Sequence, residues 1–252
     1  MSVKPMNDSL TAVRLSQFAL RFIVISSVTT AILSLVLWFE GDFDRTFLLA
    51  HNPLRDDPTI VALFRAITRF GMSAICLLLL ASVIASYRFP ALRPTRPVLL
   101  VVLFAFAAAT LTGDLLKELL GRARPITELA DQLNATGRHG SPSFPSGHAA
   151  KSLALALPFV FIVPASSDVV RLVKLALIVV ASLVCYSRIV LGAHYLSDVL
   201  AAAALALACI PVAVAAANGI YARGKVTPDK LNSVVKRLTI VLLALTLCLP
   251  FL

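Results

Sequence analysis

The chain is short of charge, and shortest of acid. Charged residues make up 14% of its 252 positions, with 13 Asp and Glu against 23 Lys and Arg. Hydrophobic residues make up 59%, and the mean hydropathy is +0.89. A water-soluble protein of this size needs far more polar surface, so that class is excluded and most of this surface must face lipid. The formal net charge of +10 first suggests nucleic acid. However, the Lys and Arg residues are scattered among membrane-length apolar runs and compose no basic face, so a nucleic-acid partner is excluded too. Cysteine is scarce and badly placed for chemistry. Cys76, Cys185, Cys209 and Cys248 all lie inside apolar runs without metal-ligand spacing, which reads as small core or lipid-facing residues. No small-residue cleavage site follows Trp38-Phe39-Glu40, so the first apolar run is an anchor rather than a removed signal.

What is present is a series of apolar runs. Residues 22–39 form the first, about 27 Å long as a helix and enough to span. Residues 40–70 are mixed. There Asp56-Asp57-Pro58 marks a helix start, and Ile60, Leu63, Phe64 and Ile67 recur at helical spacing with Arg65 and Arg69 between them. That pattern predicts a helix lying on the membrane surface. Further runs cover 71–87, 98–116, 148–164, 169–187 and 195–217. Between them lie a connector bearing Pro90, Arg93, Pro94, Arg96 and Pro97, a polar loop over 117–147, a break at Pro164 to Asp168, and a turn containing Gly192. A basic stretch (Arg223, Lys225, Lys230, Lys236, Arg237) precedes a last apolar run from Leu238 to Leu252. Its length and Pro250 leave spanning and interfacial placement both open. The expected fold is therefore all-α, a polytopic membrane helical bundle. It has six core transmembrane helices, an interfacial helix and a C-terminal apolar helix. A single integral membrane domain would occupy 1–252, with its core over 22–218 and a basic linker and apolar segment over 219–252.

Orientation follows from the placement of charge. With the N-terminus cytoplasmic, the cytoplasmic segments carry the whole net charge of +10 and the opposite side balances. The positive-inside rule is strongly satisfied by that choice. The expected location is the plasma (inner) membrane, and one consequence matters for function. The ends of the third and fifth core runs and the starts of the fourth and sixth then meet on the extracytoplasmic side.

Three polar strings lie at those ends: Lys117 leading to Arg124-Pro125, Pro145-Ser146-Gly147-His148, and Ser187-Arg188 followed by His194 and Asp198. The second opens a helix, whose first N–H groups have no internal partner and whose positive dipole end faces outward; this is an anion site. Gly147 lets an oxyanion approach the backbone, and Ser146 either caps the helix or donates to a phosphate oxygen. His194 and Asp198 are four apart, on one face of a helix, where the carboxylate can fix the imidazole tautomer and leave the other nitrogen free to attack. Arg124 and Arg188 can each present a planar fork to two phosphate oxygens, and Lys117 adds a mobile point charge. Arg122 reads equally well as an interfacial anchor. Asp114 and Lys151 are charges inside apolar runs, three residues from Lys117 and His148 respectively, and pair structurally or support the site.

These residues resemble the three signature motifs of the type 2 phosphatidic acid phosphatase superfamily, the integral membrane lipid phosphate phosphatases. The matched strings are Lys117-x6-Arg124-Pro125, Pro145-Ser146-Gly147-His148 and Ser187-Arg188-x5-His194-x3-Asp198. The resemblance implies His194 as nucleophile, Asp198 as its partner and His148 as general acid. Lys117, Arg124, Ser146, Gly147 and Arg188 become phosphate ligands, with Ser187 in support. It implies hydrolysis of a lipid phosphomonoester or diphosphate through a phosphohistidine, with no metal and no cofactor. Candidate substrates are phosphatidylglycerophosphate, phosphatidic acid, polyprenyl diphosphate and lipid A phosphate. The same motifs serve phosphotransferases that pass the phosphoryl group to a second lipid. A related haloperoxidase pocket belongs to soluble proteins, which this is not. From a different class, a transporter would show helices broken near the midplane and an internal repeat; neither is clear, although Pro158 and Pro211 interrupt two runs. A silent scaffold would lack a motif histidine, and both are present. Nothing in loops 40–70 or 126–144, with Arg138 and His139, names a headgroup, and the oligomeric state is not written in the sequence.

Overall fold

The computed structural model describes residues 13–52, 57–93, 95–133, 140–222 and 228–248. The singled-out residues Asp56, Pro94, Arg138, His139, Arg223, Lys225, Pro250 and Leu252 lie outside them. Helices account for the rest of the architecture, and no strand occurs among the described residues. In chain order they are α1 (Gln17–Glu40), α2 (Asp42–His51), α3 (Pro58–Ala85), α4 (Thr95–Leu120), the short α5 (Pro125–Glu128), α6 (Gly147–Ile162), α7 (Asp168–Val190), α8 (Leu196–Ala222) and α9 (Pro228–Cys248). A 3-10 turn at Pro90–Leu92 joins α3 to α4.

Local chemistry explains the boundaries. Ser16 caps α1 by accepting from the Ala19 N–H at 3.0 Å. Asp57 caps α3 through the N–H groups of Thr59 and Ile60, with Pro58 in the first turn, where its missing N–H costs nothing. Ser167 caps α7 by accepting from Val170 N. The helices run unbroken through Pro158 in α6 and Pro211 in α8. Packing against neighbouring helices tolerates proline there, and no midplane break of the transporter kind results.

Among the described residues five helices are long and apolar enough to cross a membrane: α1, α3, the segment containing α4, α7 and α8. Large apolar side chains on them face outward, among them Leu111, Leu172, Leu175 and Val212, as lipid contact requires. α6 is shorter, about 24 Å at the helical rise, yet it is the hub. It packs against α3, α4, α7 and α8 and buries Ala149, Ala150, Ala154, Leu155, Ala156 and Phe159. α1 is peripheral and packs mainly on α8. Two serines pin it there, Ser27 donating to Ala204 O at 2.9 Å and Ser34 to Ser197 O at 2.8 Å.

One expectation needs correction. Residues 57–70 do not form a surface helix separate from the run 71–87. They are the first half of one continuous 28-residue helix, α3. Gly71 sits at the expected junction but keeps helical geometry, because its bare Cα lets α7 approach; a Cβ there would stand 2.3 Å from Val184 Cγ2. The short helix outside the spans is α2, which Gly41, at φ 70, turns away from α1. At the other end the last apolar run is part of α9, which begins ten residues earlier than expected, at Pro228, and packs on α3 and α4.

Candidate active site

The end of α4, the start of α6, the end of α7 and the start of α8 lie together, and every polar string from the sequence is there. A Cβ placed on Gly147 would stand 3.2 Å from Lys117 Nζ, so only glycine leaves the ammonium this close to the backbone.

Arg124 precedes Pro125 and is extended, φ −84 and ψ 152, the conformation the following proline imposes. That turns its side chain back across the site. Its Nε donates to Ser141 O at 2.7 Å, its Nη2 to Ser141 Oγ at 2.9 Å and its Nη1 to Ala193 O at 3.1 Å. The same Nη1 stands 3.3 Å from His194 Nε2. Guanidinium can only donate, so Nε2 carries the lone pair and Nδ1 carries the proton. Nδ1 faces Asp198 Oδ2 at 3.4 Å.

The His194–Asp198 pairing arises differently from the expected helix face. Gly192, at φ 65, reverses the chain after α7, and the N–H groups of Ala193 and His194 both return to Arg188 O. His194 thus sits in the turn ahead of α8. Asp198, in the first turn of α8, reaches back to accept from Tyr195 N at 2.9 Å. Ser143 Oγ also donates to Asp198 Oδ2. His194 is 2% exposed, and burial above all holds its imidazole well below the usual value, at about 4. Asp198 opposes that shift, while Arg188 and Arg124 add to it.

Arg188 is buried at the end of α7. Its Nη1 donates to Thr68 Oγ1 at 2.8 Å, and Thr68 Oγ1 stands 3.0 Å from Ser187 Oγ, whose own proton goes to Val184 O at 2.6 Å. Ser187 therefore buttresses Arg188 through α3. His148 lies within electrostatic reach of Arg188, His194, Lys151 and Lys117. Two buried polar atoms are left without a partner at this site, Ser146 Oγ and Arg188 Nε. Ser146 occupies the N-cap position of α6 but makes no capping bond through its side chain, so its hydroxyl and the first N–H groups of α6 remain available to an anion. Among the described residues no group of three or more His, Cys, Asp and Glu side chains could hold a metal ion.

Of the two charges expected to support the site, exposed Asp114 lies within electrostatic reach of Lys117, and Lys151 within reach of both Lys117 and His148. Arg122 is where the sequence reading falls short. It does not snorkel to the interface as an anchor does. Its side chain is 8% exposed and bonds Asp198 Oδ1 at 2.7 Å and Asp44 Oδ2 at 3.0 Å. Asp44, on α2, is missed altogether by the sequence: neither its spacing nor its neighbours mark it as buried. Arg122 carries a weak signal, an arginine in a string whose other two cations, Lys117 and Arg124, already have roles.

Comparisons with known proteins come down on one side. The family model of the PAP2 superfamily matches residues 98–221. Among curated proteins no sequence matches the chain. Among solved structures, the chain is similar to a transmembrane PAP2 type phosphatidylglycerolphosphate phosphatase from Bacillus subtilis. The TM-score is 0.57 and the identity 23%, over 76% of this chain and 93% of that one; at that identity the likeness is one of fold. It agrees with the all-α membrane bundle described above. Through residues 98–221, which hold every one of the signature strings, this chain belongs to the PAP2 superfamily.

Proposed function

We propose that the protein is a lipid phosphate phosphatase, a phosphoric ester hydrolase that works through a phosphohistidine on His194. The observation that carries this reading is the two-sided setting of the His194 ring. Nδ1 faces a carboxylate and Nε2 faces a phosphate-binding type of cation.

In this reading Lys117, Arg124 and Arg188 hold the phosphoryl oxygens, together with Ser146 Oγ and the N–H groups at the start of α6. Arg188 Nε and Ser146 Oγ support it, since both are buried donors without a partner and phosphate oxygens would satisfy them. A phosphoryl oxygen offered to Arg124 competes for the N–H now shared with His194 Nε2 and frees that lone pair. Nε2 attacks phosphorus and the bond from phosphorus to the lipid oxygen breaks. His148, as imidazolium, gives its proton to the departing oxygen. Water then attacks the phosphohistidine, neutral His148 takes the proton from that water, and the P–N bond breaks to release phosphate. Asp198 supports the positive charge His194 gains in the first step. Fixed guanidinium and ammonium groups supply the charge stabilisation that Mg²⁺ supplies in many phosphoryl transfers, so neither metal nor cofactor has a part.

The substrate is a phosphorylated lipid in the membrane. Phosphatidylglycerolphosphate leads the panel because the solved structure of similar fold is that of a phosphatidylglycerolphosphate phosphatase. Phosphatidic acid, polyprenyl diphosphate and lipid A phosphate follow. The N-terminus is cytoplasmic and the site faces the extracytoplasmic side of the plasma (inner) membrane, a reading supported by the one-sided placement of the net charge. The test is phosphate release from this lipid panel in detergent, wild type against His194→Ala. Release by the wild type alone is expected, and equal release by both proteins contradicts the proposal.

A further inference from the structure

Asp198 divides its two oxygens. Oδ2 serves His194 Nδ1, Tyr195 N and Ser143 Oγ, while Oδ1 accepts from Arg122 Nη1 at 2.7 Å. Arg122 in turn divides its fork. Nη1 also donates to Ser197 Oγ at 2.6 Å, and Nη2 goes to Asp44 Oδ2 at 3.0 Å. Asp44 is 1% exposed and closes the circuit on α8 by accepting from Ser197 N at 2.9 Å and from Ser197 Oγ. Aromatic rings flank the guanidinium. Its carbon lies 4.3 Å from the Tyr195 ring centroid and 5.0 Å from that of Trp38, distances at which cation–π attraction operates. Tyr195 is itself held by Glu128 of α5, at 2.5 Å.

The geometry points to Arg122 and Asp44 as positioning residues that hold Asp198, and through it His194, in the reacting orientation. The inference rests on the phosphatase reading given above and extends it to a residue of α2, outside the stretch that carries the signature strings. Arg122 faces away from the phosphate cradle, since all its partners lie on the Asp198 side. Its planar fork fixes the plane of the Asp198 carboxylate, which a lysine could not do because it has no second arm to reach Asp44. Asp44 has a distinct part. Arg122 paired with Asp198 alone would cancel much of the negative charge that His194 feels. Shared between two carboxylates, the guanidinium leaves Asp198 anionic toward the imidazole. Removal of Arg122 would instead set two buried carboxylates on either side of Ser197 without a cation.

The test uses the full-length protein in detergent micelles with phosphatidic acid as substrate and inorganic phosphate as competing ligand. Arg122→Gln, Arg122→Lys, Asp44→Asn and the double variant Asp44→Asn/Arg122→Gln are compared with wild type, each first shown to be monodisperse with a cooperative melting transition. Loss of such an outer partner is expected to lower kcat roughly 10- to 100-fold in Arg122→Gln and in Asp44→Asn. KM and the inhibition constant for phosphate should stay within about threefold, because Lys117, Arg124 and Arg188 are untouched. The double variant should be no slower than Arg122→Gln, and Arg122→Lys should fail to restore kcat. If Arg122→Gln does not fold, Asp44→Asn decides. Wild-type kcat in a folded Arg122→Gln or Asp44→Asn overturns the inference alone. A loss of kcat matched by an equal loss of phosphate affinity also overturns it, because that marks a merely structural part. A wild type silent on phosphatidic acid and on the rest of the lipid panel overturns the phosphatase reading, and this inference with it.

Discussion

Arg124 Nη1 stands 3.3 Å from His194 Nε2, so the nitrogen proposed to attack phosphorus faces a group that also binds phosphate. The contact joins two stretches 70 residues apart in the chain. In the proposed reaction this cation would meet a phosphoryl oxygen during the attack. Arg124→Gln keeps some bulk and one donor but loses the charge and the fork. The variant should lose about 10²- to 10³-fold in kcat, the range found for removal of one transition-state donor. Phosphate release from phosphatidic acid micelles reads the outcome.

The pH profile follows from the setting of His194. In the proposed mechanism only the neutral imidazole attacks, and burial holds its value down to about 4, with Arg188 and Arg124 adding to the shift and Asp198 opposing it. The neutral form therefore dominates at every pH above about 4, and nucleophilicity is lost as pH falls through that value. The acid limb of kcat/KM assigned to the enzyme should lie near 4 rather than near the ordinary histidine value of about 6.5, after correction for titration of the substrate phosphate.

Thr68 is the α3 residue that steadies Arg188, through a 2.8 Å bond to Nη1. Thr68→Val keeps the shape and removes the acceptor. One such bond contributes about 1 kcal/mol, so the inhibition constant for inorganic phosphate should rise roughly fivefold, since 1.4 kcal/mol is tenfold. Competition assays against a turned-over lipid measure it.

Two helical glycines should respond to alanine in opposite ways. At Gly71 a Cβ would stand 2.3 Å from Val184 Cγ2, whereas at Gly113 its nearest neighbour is Leu205 Cδ2 at 3.6 Å. Overpacking costs about 1–3 kcal/mol, and relief of glycine's backbone freedom in a helix returns about 0.5–1 kcal/mol. Gly71→Ala should lower the melting midpoint in detergent, and Gly113→Ala should leave it unchanged or raise it.

The spans and the cluster of strings were legible because hydropathy and charge asymmetry act locally and leave long marks. Lys117, Arg124, Ser146, His148, Arg188, His194 and Asp198 could be placed at one end of the bundle from run order alone. What was not legible depends on tertiary partners. Asp44 is an ordinary acid in a polar stretch until α2 folds back over the start of α8. Arg122 looks like a headgroup anchor until Asp44, Asp198, Trp38 and Tyr195 surround it. Residues 57–70 read as a surface helix because Arg65 and Arg69 interrupt the apolar pattern, yet the helix simply continues through Gly71. His194 and Asp198 were correctly paired for the wrong local reason, a turn at Gly192 doing what a helix face was expected to do.

The central claim is a covalent bond from His194 to phosphorus during turnover. The direct measurement is rapid quenching of the full-length protein with lipid phosphate carrying ³²P, followed by peptide mapping. The account predicts an acid-labile, alkali-stable label on the peptide containing His194, formed and lost at the rate of turnover and absent from His194→Ala. Steady phosphate release with no label on that peptide at any quench time would contradict it.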